Sequence, residues 1–325
     1  MTTTRRGFGG LAAGMLATSA LGAAADSWPD RPVKMVVPFG AGGAVDTLAR
    51  LFAQRFAEFA NGQTLVVENR SGAGGMVAGS YTNIQPADGY TLMMADIGAN
   101  VVGKELNPKL SYQPLTGFTP IMQGAILHAV MIAHPSVREK TLAEIIASAR
   151  AKPEGFVYSS AGIGNLSHLA MALLEQQAGV KMIHIPYRSG SEAVTAVMRG
   201  DAQFSFPSLS SAFPMIKDDQ VRPVVMGGDT TELLPGVPSA RDTIPGFEAA
   251  VWYGVVAPPG MDLALADRIN AVFNQVAAVP EVRKAVAETQ AGRVIGGTRA
   301  DFGTFLQSEY DRWSKVIRAG GIRTE

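Results

Sequence analysis

The chain has 325 residues, 47% apolar and 17% charged, so it can bury a sizeable core and its main state is not disordered. Lys plus Arg and Asp plus Glu balance at 28 each, which removes the bulk electrostatic case for nucleic acid. There is no Cys, which excludes disulfides, thiolate nucleophiles, iron–sulfur clusters and Cys-ligated zinc.

Thr4-Arg5-Arg6-Gly7-Phe8 opens the chain, a weakly apolar Ala/Gly-rich stretch runs from Leu11 to Leu21, and Ala23-Ala24-Ala25 gives an A-x-A cut site before Asp26. This layout predicts an export signal over residues 1–25, too short for a membrane span of ~20 residues. The Arg pair followed by x-Phe resembles a twin-arginine (Tat) signal, with Sec export as the alternative. Its removal takes two Arg and no acid, leaving a net charge of −2. No later apolar run reaches spanning length. The expected product is an exported, soluble, periplasmic protein cut after Ala25.

Val33 to Phe39 reads as a buried strand, broken by Gly40-Ala41-Gly42-Gly43. Leu48, Leu51, Phe52, Phe56 and Phe59 then recur at helical offsets. Asp46 stands just before them, where a short acid can cap free N–H groups. Leu65 to Glu68 is a second strand, Asn69 to Gly79 a Gly-rich turn into a helix, and Tyr90 to Ala95 a third strand. This β-α-β-α-β start predicts a mostly parallel sheet covered by helices.

The pattern repeats with strands at Ala129–Ala133, Phe156–Tyr158, Met182–Tyr187, Phe204–Phe206 and Pro223–Met226, and helices near 142–149, 167–178 and 192–198. Val251 to Ala257 is a further strand, and helices through Leu265–Val276 and Leu306–Ile317 follow. Strand-Pro-helix units occur around Pro135 and Pro258, which predict the two places where the chain changes lobe. The expected division is 26–125 and 250–325 in one lobe and 126–249 in the other. Two joined α/β lobes make a cleft, and ligand pockets favour such interfaces.

A strand feeding a Gly-rich turn and then a helix aims backbone N–H groups and the positive helix end at one point, an anion site without a basic side chain. This occurs once per lobe, at Phe39–Asp46 and Ser159–Ser167. Either turn alone reads equally as an ordinary connection. Arg188 is the best-placed cation for a second carboxylate, with a solvated surface Arg as the alternative. A rival reading takes Gly40-x-Gly42 and Glu68 as a dinucleotide fingerprint, hence an exported NAD(P)-dependent oxidoreductase. It fails at the third glycine position, which is Val45. Hydrolysis lacks support: there is no G-x-S-x-G, and His128, His134, His168 and His184 form no close ligand pair, so no catalytic, metal or cofactor site is expected.

Seven ordered segments carry a family resemblance. They are Val37-Pro38-Phe39-x-Ala41-Gly42-Gly43-x-x-Asp46, Val67-Glu68-Asn69-Arg70-x-Gly72-Ala73-Gly74-Gly75, Asp88-Gly89-Tyr90-Thr91-Leu92, Ser160-Ala161-Gly162-x-Gly164 with His168-Leu169, His184-Ile185-Pro186-Tyr187, Leu234-Pro235-x-Val237-Pro238 and Trp252-Tyr253-Gly254. Together they resemble the Bug-type solute-binding receptors of tripartite tricarboxylate transporters, over essentially the whole mature chain. The resemblance implies an α/β, two-lobed, type II periplasmic-binding-protein-like fold with a central ligand cleft. It implies a non-enzymatic monomer that presents a small carboxylate to a membrane transporter or a sensor. It maps Phe39, Ala41, Gly42 and Asp46 to the first ligand loop and Ser160, Gly162 and Asn165 to the second, with Asp46 orienting the loop rather than meeting the ligand. Gly40 departs from the family's usual Pro and Ser189 from its usual Gly. Gln203 and Pro207 replace common acids, so the far end of the ligand is expected to be unusual.

Overall fold

The computed structural model describes residues 28–324, and the expected export segment, residues 1–25, lies outside them. Eleven strands are present among the described residues. In chain order they are β1 (Val33–Val37), β2 (Leu65–Asn69), β3 (Thr91–Ala95), β4 (Thr119–His128), β5 (Val130–Ala133), β6 (Val157–Ser160), β7 (Ile183–Pro186), β8 (Phe204–Ser205), β9 (Arg222–Met226), β10 (Ala250–Ala257) and β11 (Gly292–Gly296). They form a six-stranded sheet, β11-β4-β10-β3-β1-β2, and a five-stranded sheet, β7-β6-β8-β5-β9, one per lobe.

Both sheets are mixed, which corrects the mostly parallel expectation. β1 is parallel to β2 and β3, and β6 is parallel to β7 and β8. β10 runs antiparallel to β3 and β4, β11 antiparallel to β4, and β5 antiparallel to β8 and β9. The reason lies in the crossings. The chain leaves the larger sheet through β4, enters the smaller as β5 after the single residue Ala129, and returns from β9 to β10 through residues 227–249. Outgoing and returning strands lie side by side, so they must run in opposite directions. At the crossing the Gly227 N–H donates to the Ala129 carbonyl (2.8 Å) and the Ala249 N–H to the Gly227 carbonyl (2.7 Å). A Cβ on Gly227 would collide with the Ala249 carbonyl, so this close approach requires glycine.

The passages between the two sheets therefore do not sit at Pro135 and Pro258. Each of those prolines follows a strand, β5 or β10, that stays within its own sheet. Proline removes a ladder donor. It marks where a strand stops, not where the chain passes between the sheets.

β1 is buried along nearly its whole length, and so are β3 and β5, which explains their unbroken apolar runs. The helix Ala44–Phe56 lays Leu48, Phe52 and Phe56 on the larger sheet, where Phe52 and Phe56 meet Phe273 of the helix Leu263–Ala278 at centroid distances of 6.2 and 5.5 Å. Truncating such a ring to Ala costs ~3–5 kcal/mol. The pair fixes the helix, and with it the loop at the helix's start.

Four elements are illegible in the sequence pattern. β4 contains Gln123-Gly124 and pairs with β10 through register shifts at Tyr253/Gly254 and Val255/Val256, so its alternation is interrupted. The helix Leu209–Lys217 carries Pro214 inside it, and the helix Pro280–Gln290 has little apolar stripe. β11 is a half-exposed edge strand flanked by glycines.

Candidate functional site: the interlobe cleft

Four helices start at the carboxyl ends of β1, β6, β7 and β8: Ala44–Phe56, Leu166–Ala178, Gly190–Arg199 and Leu209–Lys217. Their N-cap residues are Gly43, Asn165, Ser189 and Ser208. All four N-termini border one cavity of about 30 Å³ between the lobes. Phe39, Ala161, Pro207, Val251 and Tyr253 complete its wall, and no lining side chain is charged. Each helix start carries roughly half a positive charge on free N–H groups. The cavity thus presents helix ends and no cation; the acids of the first turns, Asp46 and Glu192, lie outside its lining. Burial and the nearby Asp96 push the Tyr253 phenol above its ordinary value, so its hydroxyl stays protonated.

The first loop is organised by one buried carboxylate. Asp46 is not the helix cap predicted from its position: the helix begins at Ala44, and Asp46 is its third residue. It reaches back to accept the Gly42 N–H (3.0 Å), Arg50 Nε (2.9 Å) and Asn69 Nδ2 (2.9 Å). Asn69 Nδ2 also donates to the Phe39 carbonyl (3.0 Å), tying β2 to the loop. Burial alone would raise the Asp46 carboxyl; the hydrogen bonds from Arg50, Gly42 and Asn69 outweigh it and hold it below its usual value.

The second loop is organised by neutral groups. His168 Nδ1 accepts the Gly164 N–H (3.1 Å), and His184 Nε2 pairs with Ser160 Oγ (2.6 Å). The two imidazoles stack at 4.0 Å, with Tyr158 stacked on His184 at 4.9 Å. Burial pushes His168 down to about 3, with His184 adding to it, and burial pushes His184 down to about 4, so both are uncharged near neutrality. Ser160 Oγ also accepts the Gly162 N–H (3.1 Å), and Gly162 adopts φ +118°, open to glycine alone. Asn165 Oδ1 accepts from the Ser167 N–H (3.0 Å) and hydroxyl (2.9 Å). Its Nδ2 makes no hydrogen bond among the described residues and belongs to a cavity-lining side chain.

Of the residues expected at the ligand, Phe39 and Asn165 line this cavity. Ala41 and Gly42 are exposed on the loop, where the Gly42 carbonyl accepts Ser191 Oγ across the cleft (3.3 Å). Asp46 and Ser160 lie behind the loops, each engaged as above. Gly162 and Arg188 line a second cavity of about 280 Å³ that shares Phe39 and Ala161 with the first. Glu68 spends its carboxylate on Lys34 (2.8 Å) and Arg70 (2.5 Å) rather than facing the first loop.

Sequence reading placed the third helix near 192–198 without joining its start to the site, and it missed the fourth helix and the place of Tyr253. Ser208-Leu209-Ser210-Ser211 after β8 carries the cap signature of a helix start, but Pro214 hides the helix behind it. Strand alternation in β10 sends Val251 and Tyr253 to one face, that of the cleft.

Residues 48–322 match the tripartite tricarboxylate transporter family receptor. The chain belongs to this receptor family. Protein BugT of Bordetella pertussis is 29% identical over 313 residues, covering 95% of each chain. The structure of R. palustris Rpa4515 with adipate matches with a TM-score of 0.86 at 29% identity, over 91% of this chain and 99% of that one. MatC from Rhodopseudomonas palustris with bound malate matches with a TM-score of 0.84 at 27% identity, over 89% of this chain and 100% of that one. The family and these neighbours are solute-binding receptors, not enzymes, and this Bug-type chain shares their two-lobed fold. No helix among the described residues is long and apolar enough to cross a membrane.

Proposed function

We propose that this receptor captures a small organic carboxylate in the interlobe cleft of the periplasm and presents it to a tripartite tricarboxylate-type transporter. The observation that carries this reading is the convergence of four helix N-termini on one cavity with no charged side chain in its wall. The adipate and malate of the structural neighbours support the ligand class. Phe39 and Asn165 contact the carboxylate end. Ala41, Gly42 and Asp46 hold the first loop, and Ser160 and Gly162 hold the second. Arg188 takes a second anionic group from the neighbouring cavity. The lobes divide at Ala129 and within residues 227–249, and residues 1–25 are removed on export, leaving a monomer.

Closure is selective because both loops reach the ligand only when the lobes meet. A hydrogen bond to a charged group contributes ~1.5–3 kcal/mol, and a micromolar Kd needs ~8 kcal/mol net. Four or five such bonds suffice after the costs of ordering and closure.

The test is a thermal-shift panel on refolded, ligand-free protein from Asp26 onward, with adipate, malate and other carboxylates beside NAD and NADP. A native-state ligand raises the melting temperature. The expected result is a shift with one or a few carboxylates and none with the nucleotides. A shift with a nucleotide alone overturns the reading in favour of the oxidoreductase alternative at Gly40, Gly42 and Glu68.

A further inference from the structure

Asp96 follows the last residue of β3, Ala95, which pairs with Gly254 of β10 beside Tyr253. It is 1% exposed. Among the described residues its carboxylate accepts only backbone N–H groups, from Gly98 (3.0 Å) and Ala99 (3.2 Å), and makes no ion pair. A carboxylate taken out of water without a cation is costly, and the usual response is to hold a proton. The two N–H groups offset part of that cost, but burial outweighs them and pushes the Asp96 carboxyl up to about 7. The ionisable groups that face it are two phenols: Tyr112, which donates to the Ala99 carbonyl (2.9 Å), and Tyr253 of β10. Burial, and then Asp96 itself, raise both, so neither is charged near neutrality.

The cover over Asp96 comes from both lobes. A Cβ on Gly75 would stand 2.8 Å from Asp96 Oδ1. A Cβ on Gly98 would stand 3.3 Å from Asp96 Oδ2 and would collide with the Gly74 carbonyl. A Cβ on Gly74 would in turn collide with the Ile163 carbonyl, which belongs to the smaller-sheet lobe. Asp96, Gly98, Gly74 and Ile163 are thus stacked across the lobe boundary. Parting the lobes lifts Ile163 from the stack and brings water nearer to the carboxylate. Closure excludes that water, and an anion in the cavity lined by Tyr253 adds a like charge. Both changes favour the protonated acid.

We propose that Asp96 is a proton-binding site linked to the ligand site, taking up a proton as the lobes close on a carboxylate. The proposal goes beyond the carboxylate-receptor reading and rests on it. A receptor that gains a proton on binding holds its ligand more tightly as pH falls. The window is about pH 6 to 8: His168 and His184 are already neutral there, and a ligand carboxyl, ordinarily at about 4, is already ionised.

The experiment is calorimetric titration of the refolded protein with each carboxylate that binds in the thermal-shift panel, adipate and malate first. It is run in Hepes and in imidazole, whose ionisation heats differ, at neutral pH and at both ends of the window. The expected result is uptake of roughly half a proton per ligand, equivalent to about three-fold weaker binding per pH unit of rise. Asp96→Asn, similar in shape and unable to take the proton, should give the same heat in both buffers and a flat pH profile. If that variant fails to fold, the Asp carboxyl carbon resonances of the ligand-bound parent supply the test, and one of them should titrate above about pH 6. Binding without proton uptake, uptake that persists in folded Asp96→Asn, or no carboxyl titrating in that range overturns this proposal and leaves the receptor reading standing. Failure of every carboxylate to bind overturns both.

Discussion

The two glycine loops at the cleft share a plan and differ in what holds them. Each is a strand, a glycine turn and a helix start. The first is pinned by an ionised carboxylate that gathers Gly42, Arg50 and Asn69. The second is pinned by two stacked neutral imidazoles, a serine and an asparagine. Neither spends a charge inside the cavity. The charge that organises the first loop stands behind it, shielded by the helix it belongs to, and the second loop has none. A site meant to be electropositive through backbone dipoles gains from this, because a carboxylate facing the cavity would cancel the helix ends.

The comparison breaks most visibly at Asn165. Asn165→Ala removes a helix cap, worth ~1 kcal/mol, and an unspent donor in the cavity. We expect carboxylate affinity to fall at least ten-fold, the effect of losing one charge-assisted hydrogen bond of ~1.5–3 kcal/mol. Calorimetry checks this, and unchanged affinity would remove Asn165 from the ligand contact. Asp46→Ala is the matching change in the first loop and acts through stability. We expect a loss of ~2 kcal/mol in urea denaturation, with only a few-fold loss of affinity. A stability change within ~0.5 kcal/mol would mean that the Gly42–Arg50–Asn69 cluster does not hold the loop.

Acid separates the loops further. His168 and His184 are depressed from 6.5 to about 3 and about 4, so the unfolded chain binds more protons between those values. Their contribution is full above pH 6.5 and is lost as pH falls toward 4. The Asp46 carboxyl is lowered from 3.8, so its contribution is lost only below that value. Asp96, raised to about 7 by burial, gains its proton over the same window and acts with the opposite sign, so the histidine contribution is read as the difference between parent and His184→Gln. Between pH 6.5 and 4 the parent should lose more melting temperature than His184→Gln, and parallel profiles would contradict the neutral-histidine account. The smallest effect is at Glu68. Its ion pairs with Lys34 and Arg70 are partly exposed, so Glu68→Gln should cost no more than ~1 kcal/mol and leave carboxylate affinity unchanged. A lost affinity would place Glu68 in the site.

Much of this was legible in the residues. Val33–Val37 followed by glycines and then Leu48, Phe52 and Phe56 announces a strand, a turn and a helix, because burial on both sheet faces and one helix face leaves different periods. The second loop announces itself the same way. What was not legible arises where tertiary structure overrides local pattern. Asp46 looks like a cap because it precedes the apolar stripe, yet Gly43 lets the helix begin earlier and the carboxylate turns back. Ser208 is the N-cap residue and Ser211 the third residue of a proline-bearing helix. Tyr253 reads as core, and only the crossing of β4 and β10 brings its face to the cleft. Pro135 and Pro258 resemble lobe junctions, but the chain passes between the sheets at Ala129, where no turn residue stands because an almost continuous strand needs none.

The central claim is that helix N-termini, without a cation, hold a carboxylate. The most direct measurement is titration of the refolded receptor with the tightest carboxylate of the panel and with its primary amide, equal in shape and lacking the charge. The account predicts that the acid binds at least a hundred-fold more tightly, since the amide leaves the helix dipoles uncompensated and places N–H donors against N–H donors. Equal affinity for acid and amide would show that the four helix starts are not an anion site, and would contradict the account.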